Sequence, residues 1–100
     1  MIFAPLNEAA DRGELILVNG GMCRYHLRKD GVTVIREIIV LPCHRRHGIG
    51  RRMVGMVIRN TGGQTVARCP ASYESNAFWK SIGFTLDRRE GDVNVWVLPA

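Results

Sequence analysis

Val40-Leu41-Pro42-Cys43-His44-Arg45-Arg46-His47-Gly48-Ile49-Gly50-Arg51 decides how this sequence folds. An aliphatic run stops at a proline, passes through a turn containing glycine, and opens into a segment with helical periodicity. The first turn of a helix carries backbone N–H groups without intrahelical partners and the positive end of the helix dipole. Glycine lets that backbone approach a phosphate without a Cβ in the way. Arg45, Arg46 and Arg51 add forked cationic donors at the same place. An anion is expected there; the alternative is a tight strand-to-helix turn whose arginines are simply solvated. Two familiar phosphate motifs do not fit. No GxxxxGK followed by Ser or Thr is present, and the dinucleotide pattern GxGxxG fails where its third glycine would be Met53.

Downstream of the turn, Gly48 to Asn60 reads as a helix, with Ile49, Met53, Met56 and Val57 on one face and Thr61-Gly62-Gly63 as its stop. Upstream, Val32 to Leu41 is the longest β-like run. It is apolar after Glu37, which predicts a central strand buried on both faces. Glu14 to Val18 and Met22 to Leu27 read as strands around Asn19-Gly20-Gly21. Lys29-Asp30-Gly31 is a hairpin turn, since Asp-Gly supplies the positive φ such turns need. Asn7 to Arg12 reads as a short helical lead-in. Gln64 to Cys69 reads as a buried strand closed by Pro70, Ser72 to Ile82 as a second helix, and Phe84 to Arg88 with Val93 to Leu98 as a final hairpin. With no repeat or linker, residues 1–100 read as one α/β domain.

The 46% hydrophobic and 23% charged content is that of a soluble globular protein. No apolar run reaches membrane-spanning length, and the first residues lack the features of a secretory signal, so a cytoplasmic setting is expected with no membrane contact. Cys23, Cys43 and Cys69 form no CxxC pair, which fits free thiols in a reducing compartment, and with His26, His44 and His47 they show no zinc spacing. The net charge of +5 is uneven: Arg24 to Arg52 holds eight cations against Asp30 and Glu37. Such a field favours a phosphate-bearing partner without saying which.

Arg45-Arg46-His47-Gly48-Ile49-Gly50 follows a Val-x-Pro pattern, and Trp79-Lys80-Ser81-Ile82-Gly83-Phe84 follows one helix and one strand later. In this order and spacing the two blocks resemble the GNAT superfamily of acyl-CoA-dependent N-acetyltransferases, here as a small member with a reduced N-terminal region. The resemblance implies a central mixed, mostly antiparallel sheet, a splayed parallel strand pair and two main helices. It implies acetyl-CoA as cofactor and direct transfer of an acetyl group to an amine, on a protein lysine or a small molecule. Carried over, the pyrophosphate positions are Arg45, Arg46, His47, Gly48, Ile49, Gly50 and Arg51. Ile39 and Val40 would offer backbone contacts to the pantetheine, in a splay between Ile38–Leu41 and Val66–Cys69, and Asn76 could hydrogen-bond it. A backbone N–H near Val40 would receive the charge that develops on the carbonyl oxygen.

Direct transfer needs a neutral amine and therefore a proton acceptor. Glu37, the carboxylate of the central run, is the candidate base; its alternative reading is a surface glutamate paired with Arg36 or another arginine. The family's usual acid is a tyrosine where this chain has Trp79, and Tyr73 lies nearly two turns away. Cys69 is readable either as a nucleophile or as a buried thiol. Only 31 residues precede Val32, so the acceptor cleft is expected to be open, and a homodimer could wall it. Two further functions stay open: a phage-type enzyme modifying nucleobases in DNA on the same scaffold, and a non-catalytic acyl-CoA-binding module. Aromatic residues for base stacking are few, so nucleic acid is the less favoured partner.

Overall fold

A computed structural model describes residues 12–100. The lead-in read over Asn7 to Arg12 lies almost wholly outside the described residues. Among the described residues, six strands form one sheet in the order β1-β2-β3-β4-β6-β5: β1 Leu15–Val18, β2 Gly21–Leu27, β3 Thr33–Val40, β4 Thr65–Pro70, β5 Thr85–Glu90 and β6 Val93–Leu98. Helix α1 spans Ile49–Thr61 and helix α2 Ser75–Ser81. Every neighbouring strand pair is antiparallel except β3 and β4, which run parallel and are joined through α1. The mixed, mostly antiparallel sheet with two helices is therefore as the sequence implied.

Alternation along the strands divides the sheet into two faces. Cys23, Tyr25, Ile35, Ala67, Cys69 and Trp96 point to one face and are buried. Both helices pack there. Met53, Val54 and Val57 of α1 are at most 2% exposed, each worth about 1.5–3 kcal/mol of apolar burial. The N–H of Gly62, in the left-handed region, closes α1 by bonding Ile58 O at 2.9 Å. From α2, Trp79 enters the core edge-on to Phe78 and Phe84.

Helix α2 starts three residues later than the periodicity suggests. Tyr73 N–H bonds Pro70 O at 3.0 Å, and the Asn76 amide donates to the carbonyls of Pro70, Ala71 and Tyr73. These bonds hold residues 70–73 in a turn instead of a helical one. Pro70 itself ends the ladder of β4 and does not stop it beforehand. Phe84, read as a strand residue, precedes β5 and is buried against Trp79.

The expectation that β3 is buried on both faces is wrong for its second half. Arg36, Glu37 and Ile39 are exposed, and Ile38 and Val40 are half-buried. The parallel ladder covers only Thr33–Ile35 against Thr65–Ala67. Beyond that point β3 and β4 diverge, so an apolar run that reads as a core strand borders a gap. The gap opens past Ala67, and Val66 and Ala67, expected to flank it, are still paired.

Candidate active site

At the end of β3 the chain makes a 3-10 turn over Pro42–His44. Leu41 N–H bonds Gly20 O at 2.8 Å, which ties this turn to the β1–β2 connection. Gly20 is required there: a Cβ would stand 2.3 Å from the His44 ring, and its φ is +85°. Next, Arg46 takes φ 66°, the left-handed region, and is the one described non-glycine residue to do so. That conformation costs roughly 1–2 kcal/mol and sits in the turn that faces the cleft. Gly48 follows at φ 75° as the N-cap of α1.

The first intrahelical bond is from Arg52 N–H to Gly48 O at 3.0 Å, so the N–H groups of Ile49, Gly50 and Arg51 precede the helical ladder. No side chain caps this end and no acid lies in the first turn. A Cβ on Gly48 would meet nothing within 4 Å; its glycine answers to backbone conformation and leaves open space before the amides. Gly50 has a different reason. A Cβ there would lie 3.1 Å from the Phe78 ring, so this glycine lets α2 close against α1.

A cleft of about 720 Å³ begins at these amides and runs along β3 toward α2. Of the residues expected to bind a cofactor, Ile39, Val40, Arg45, Arg46, Gly48, Ile49, Gly50 and Arg51 line it, together with Ile38 and Phe78. His47 does not line it. Asn76 is not brought to it either. Besides donating to three carbonyls, Asn76 accepts from Asn94 and from Trp96 Nε1 at 2.9 Å, so its amide is wholly engaged in joining α2 to β4 and β6.

Ladder parity sorts the backbone groups of β3. Because Leu41 bonds Gly20, the residues two and four before it, Ile39 and Glu37, form the hydrogen-bonded pairs with β2. Ile39 is thus directed to β2, correcting its reading as a backbone contact. The N–H and C=O groups of Ile38 and Val40 face the gap instead. Val40 O already accepts from Arg45 Nε at 3.1 Å, a link between the strand end and the basic turn.

Glu37 reaches its place through a β-bulge. Tyr25 pairs with Ile35 and Arg24 with Glu37, leaving Arg36 without an opposite residue. In an unbulged register Arg24 would face Arg36, two cations together, and Glu37 would turn toward the core opposite Cys23. The extra residue turns Glu37 to the face away from the helices, two positions past the last parallel pair. There Arg24 donates from Nη2 at 2.5 Å and from Nε at 3.1 Å, both to Glu37 Oε1. Pairing with an arginine, the alternative reading of Glu37, is thus what is observed, though with Arg24 and not Arg36. Sequence reasoning assigns Arg24 and Phe78 no role at the site and gives Ile38 only as the start of the splay, since nothing in the sequence marks the bulge, the ladder parity or the approach of α2.

Cys69 is buried, with Sγ 3.2 Å from Ser75 Oγ. Trp79 is in the core and Tyr73 is 60% exposed.

The model of the acetyltransferase (GNAT) domain matches residues 8–86. The chain belongs to the GNAT family. No curated protein was matched by sequence. Among solved structures, a GNAT-family acetyltransferase from Desulfovibrio desulfuricans superimposes with a TM-score of 0.71 at 19% identity, over 80% of this chain and 60% of that one. The PaiA N-acetyltransferase from Thermoplasma acidophilum, in complex with coenzyme A, gives 0.80 at 8% identity over 99% and 69%. The ribosomal-protein-S18-alanine N-acetyltransferase from Escherichia coli gives 0.71 at 20% identity over 94% and 75%. At these identities the likeness is one of fold. This GNAT chain spans 60% of the length of the first of these proteins.

Proposed function

We propose that this protein is an acetyl-CoA-dependent N-acetyltransferase acting on an exposed amine, such as a lysine or another amino group of a protein. The observation that carries the reading is the uncapped, acid-free N-terminus of α1, opening onto a cleft continuous with the gap beside β3. The residues present fit coenzyme A. Amides of Gly48, Ile49, Gly50 and Arg51, with Arg45 and Arg46 beside them, suit a pyrophosphate. Ile38 and Val40 offer backbone groups in the gap for the amides of a pantetheine arm, as a sheet edge does for an added strand. The bound cofactor would supply a thioester-activated acetyl group.

Ile38 and Val40 N–H groups are the donors available where charge develops on the carbonyl oxygen. Glu37 is the base, taking the proton that leaves the amine. Its proton returns to solvent, and water serves as the acid, because Trp79 has no acidic hydroxyl and lies in the core. Among the described residues no helix is long and apolar enough to cross a membrane; with three free cysteines, the cytoplasm is the setting we infer.

The test is acetylation of peptides carrying a free α-amine or a lysine, followed by mass spectrometry and by release of the free thiol. Acetylated peptide, lost in Glu37→Gln while acetyl-CoA affinity stays, is the expected result. Tight acetyl-CoA binding without transfer to any amine would make the protein a binding module.

A further inference from the structure

Of the described glutamates in ion pairs, Glu14 and Glu90 are held through both carboxylate oxygens. Glu37 is different. Both Arg24 donors converge on Oε1, and Oε2 has no partner among the described residues. The arginine side chain is 22% exposed and the glutamate side chain 45%, so the cation is the anchored member and the carboxylate the presented one. An exposed ion pair of this kind adds little stability, typically below about 1 kcal/mol. What it does fix is direction: a fork on one oxygen restricts the carboxylate's rotation and leaves the other oxygen free. The β-bulge at Arg36 creates this pairing and replaces a clash of two arginines with it. The same bulge turns Glu37 to the exposed face away from the helices, next in the strand to Ile38, where the lining of the cleft begins; Glu37 itself does not line it.

We infer that Arg24 is a positioning residue for acetyl transfer, holding Glu37 by Oε1 so that Oε2 meets the acceptor amine. The inference rests on Glu37 being the base. Arg24 neither binds the cofactor nor touches the reacting atoms; it acts through Glu37. In the proton step, Oε2 forms a bond to a hydrogen of the acceptor ammonium as the N–H bond breaks, and the nitrogen keeps the electron pair.

The experiment measures kcat, the KM for a lysine peptide, acetyl-CoA affinity and thermal stability in wild type, Arg24→Ala, Arg24→Gln, Arg24→Lys, Glu37→Gln and the Arg24→Ala/Glu37→Gln double variant. Arg24→Ala is expected to lower kcat by roughly tenfold to a hundredfold, the scale of a misplaced catalytic group, with acetyl-CoA affinity unchanged. Arg24→Lys should recover most of the loss. In the double variant kcat should match Glu37→Gln within about twofold, because a group acting through Glu37 has nothing left to position. Arg24→Gln keeps a donor and most of the stem, and serves if the alanine variant does not fold. Losses that multiply in the double variant, or a wild-type kcat in Arg24→Ala, would overturn the inference while leaving Glu37 as base. An unchanged kcat in Glu37→Gln, or no transfer by wild type, would instead remove the reading on which it rests.

Discussion

The ring of Phe78 occupies the space a side chain on Gly50 would need: a Cβ there would stand 3.1 Å from Cε1 and 3.2 Å from Cζ. The second glycine of the basic turn is therefore a packing residue between the two helices, and Gly48 alone is held by a positive φ. Gly50→Val should push Phe78 out of its edge-on contact with Trp79 and destabilise the fold by about 1–3 kcal/mol, the usual penalty of overpacking. Thermal melting checks this; an unchanged midpoint would show that α2 yields freely.

Thr33 and Thr65 face each other in the parallel ladder, fully buried, and neither hydroxyl has a partner among the described residues. A buried hydroxyl without a bond costs about 1–3 kcal/mol. Thr33→Val preserves the shape and is expected to raise the melting temperature. A lower one would mean that the hydroxyl is bonded in solution.

Glu14 is 7% exposed. Burial works against its charge, but bonds from Arg12 and Leu27 N–H and the proximity of His26 outweigh that and hold the carboxyl below its ordinary range. A carboxyl that is more acidic when folded contributes stability that is complete above the unfolded value, near 4.5. That contribution fades as pH falls through the lower folded value. Glu14→Gln should therefore be less stable than wild type at neutral pH by about 1.5–3 kcal/mol, the range for bonds to a charged group. The difference should shrink in acid. Denaturation midpoints across pH measure it, and a gap independent of pH would contradict the assignment.

The three thiols should differ sharply. Burial pushes Cys23 up to about 12, Cys69 is 3% exposed, and Cys43 is exposed beside the His44 ring. Alkylation of the native protein followed by peptide mapping should label Cys43 first and Cys23 only after unfolding. Early labelling of Cys23 would indicate an opening of the β1–β2–β3 core.

Much of this was legible in the sequence because the determinants are local. The proline and glycine punctuation places the basic turn, and the stripe of Ile49, Met53 and Val57 sets the buried face of α1. The rest depends on pairing between distant segments. Glu37 could be picked out as the carboxylate of the long strand, but its face is set by a one-residue bulge against Arg24. Ile39 and Ile38 exchange roles through ladder parity, which no run of aliphatic residues records. Asn76 has side-chain chemistry suited to a ligand, yet the carbonyls left by the turn at Pro70 engage it first. The gap beside β3 is likewise invisible, since an apolar run looks the same beside a paired strand or an open cleft.

The central claim is that the start of α1 holds the phosphates of acetyl-CoA, and calorimetric titration tests it most directly, comparing wild type with Gly48→Glu. The substitution places an acid before the free amides, in a position where φ is +75° and a Cβ meets nothing. Circular dichroism would confirm that the variant is folded despite a strain of roughly 1–2 kcal/mol. Saturable binding by wild type, abolished in the folded variant, is the result expected. Folded wild-type protein that fails to bind acetyl-CoA would contradict the claim.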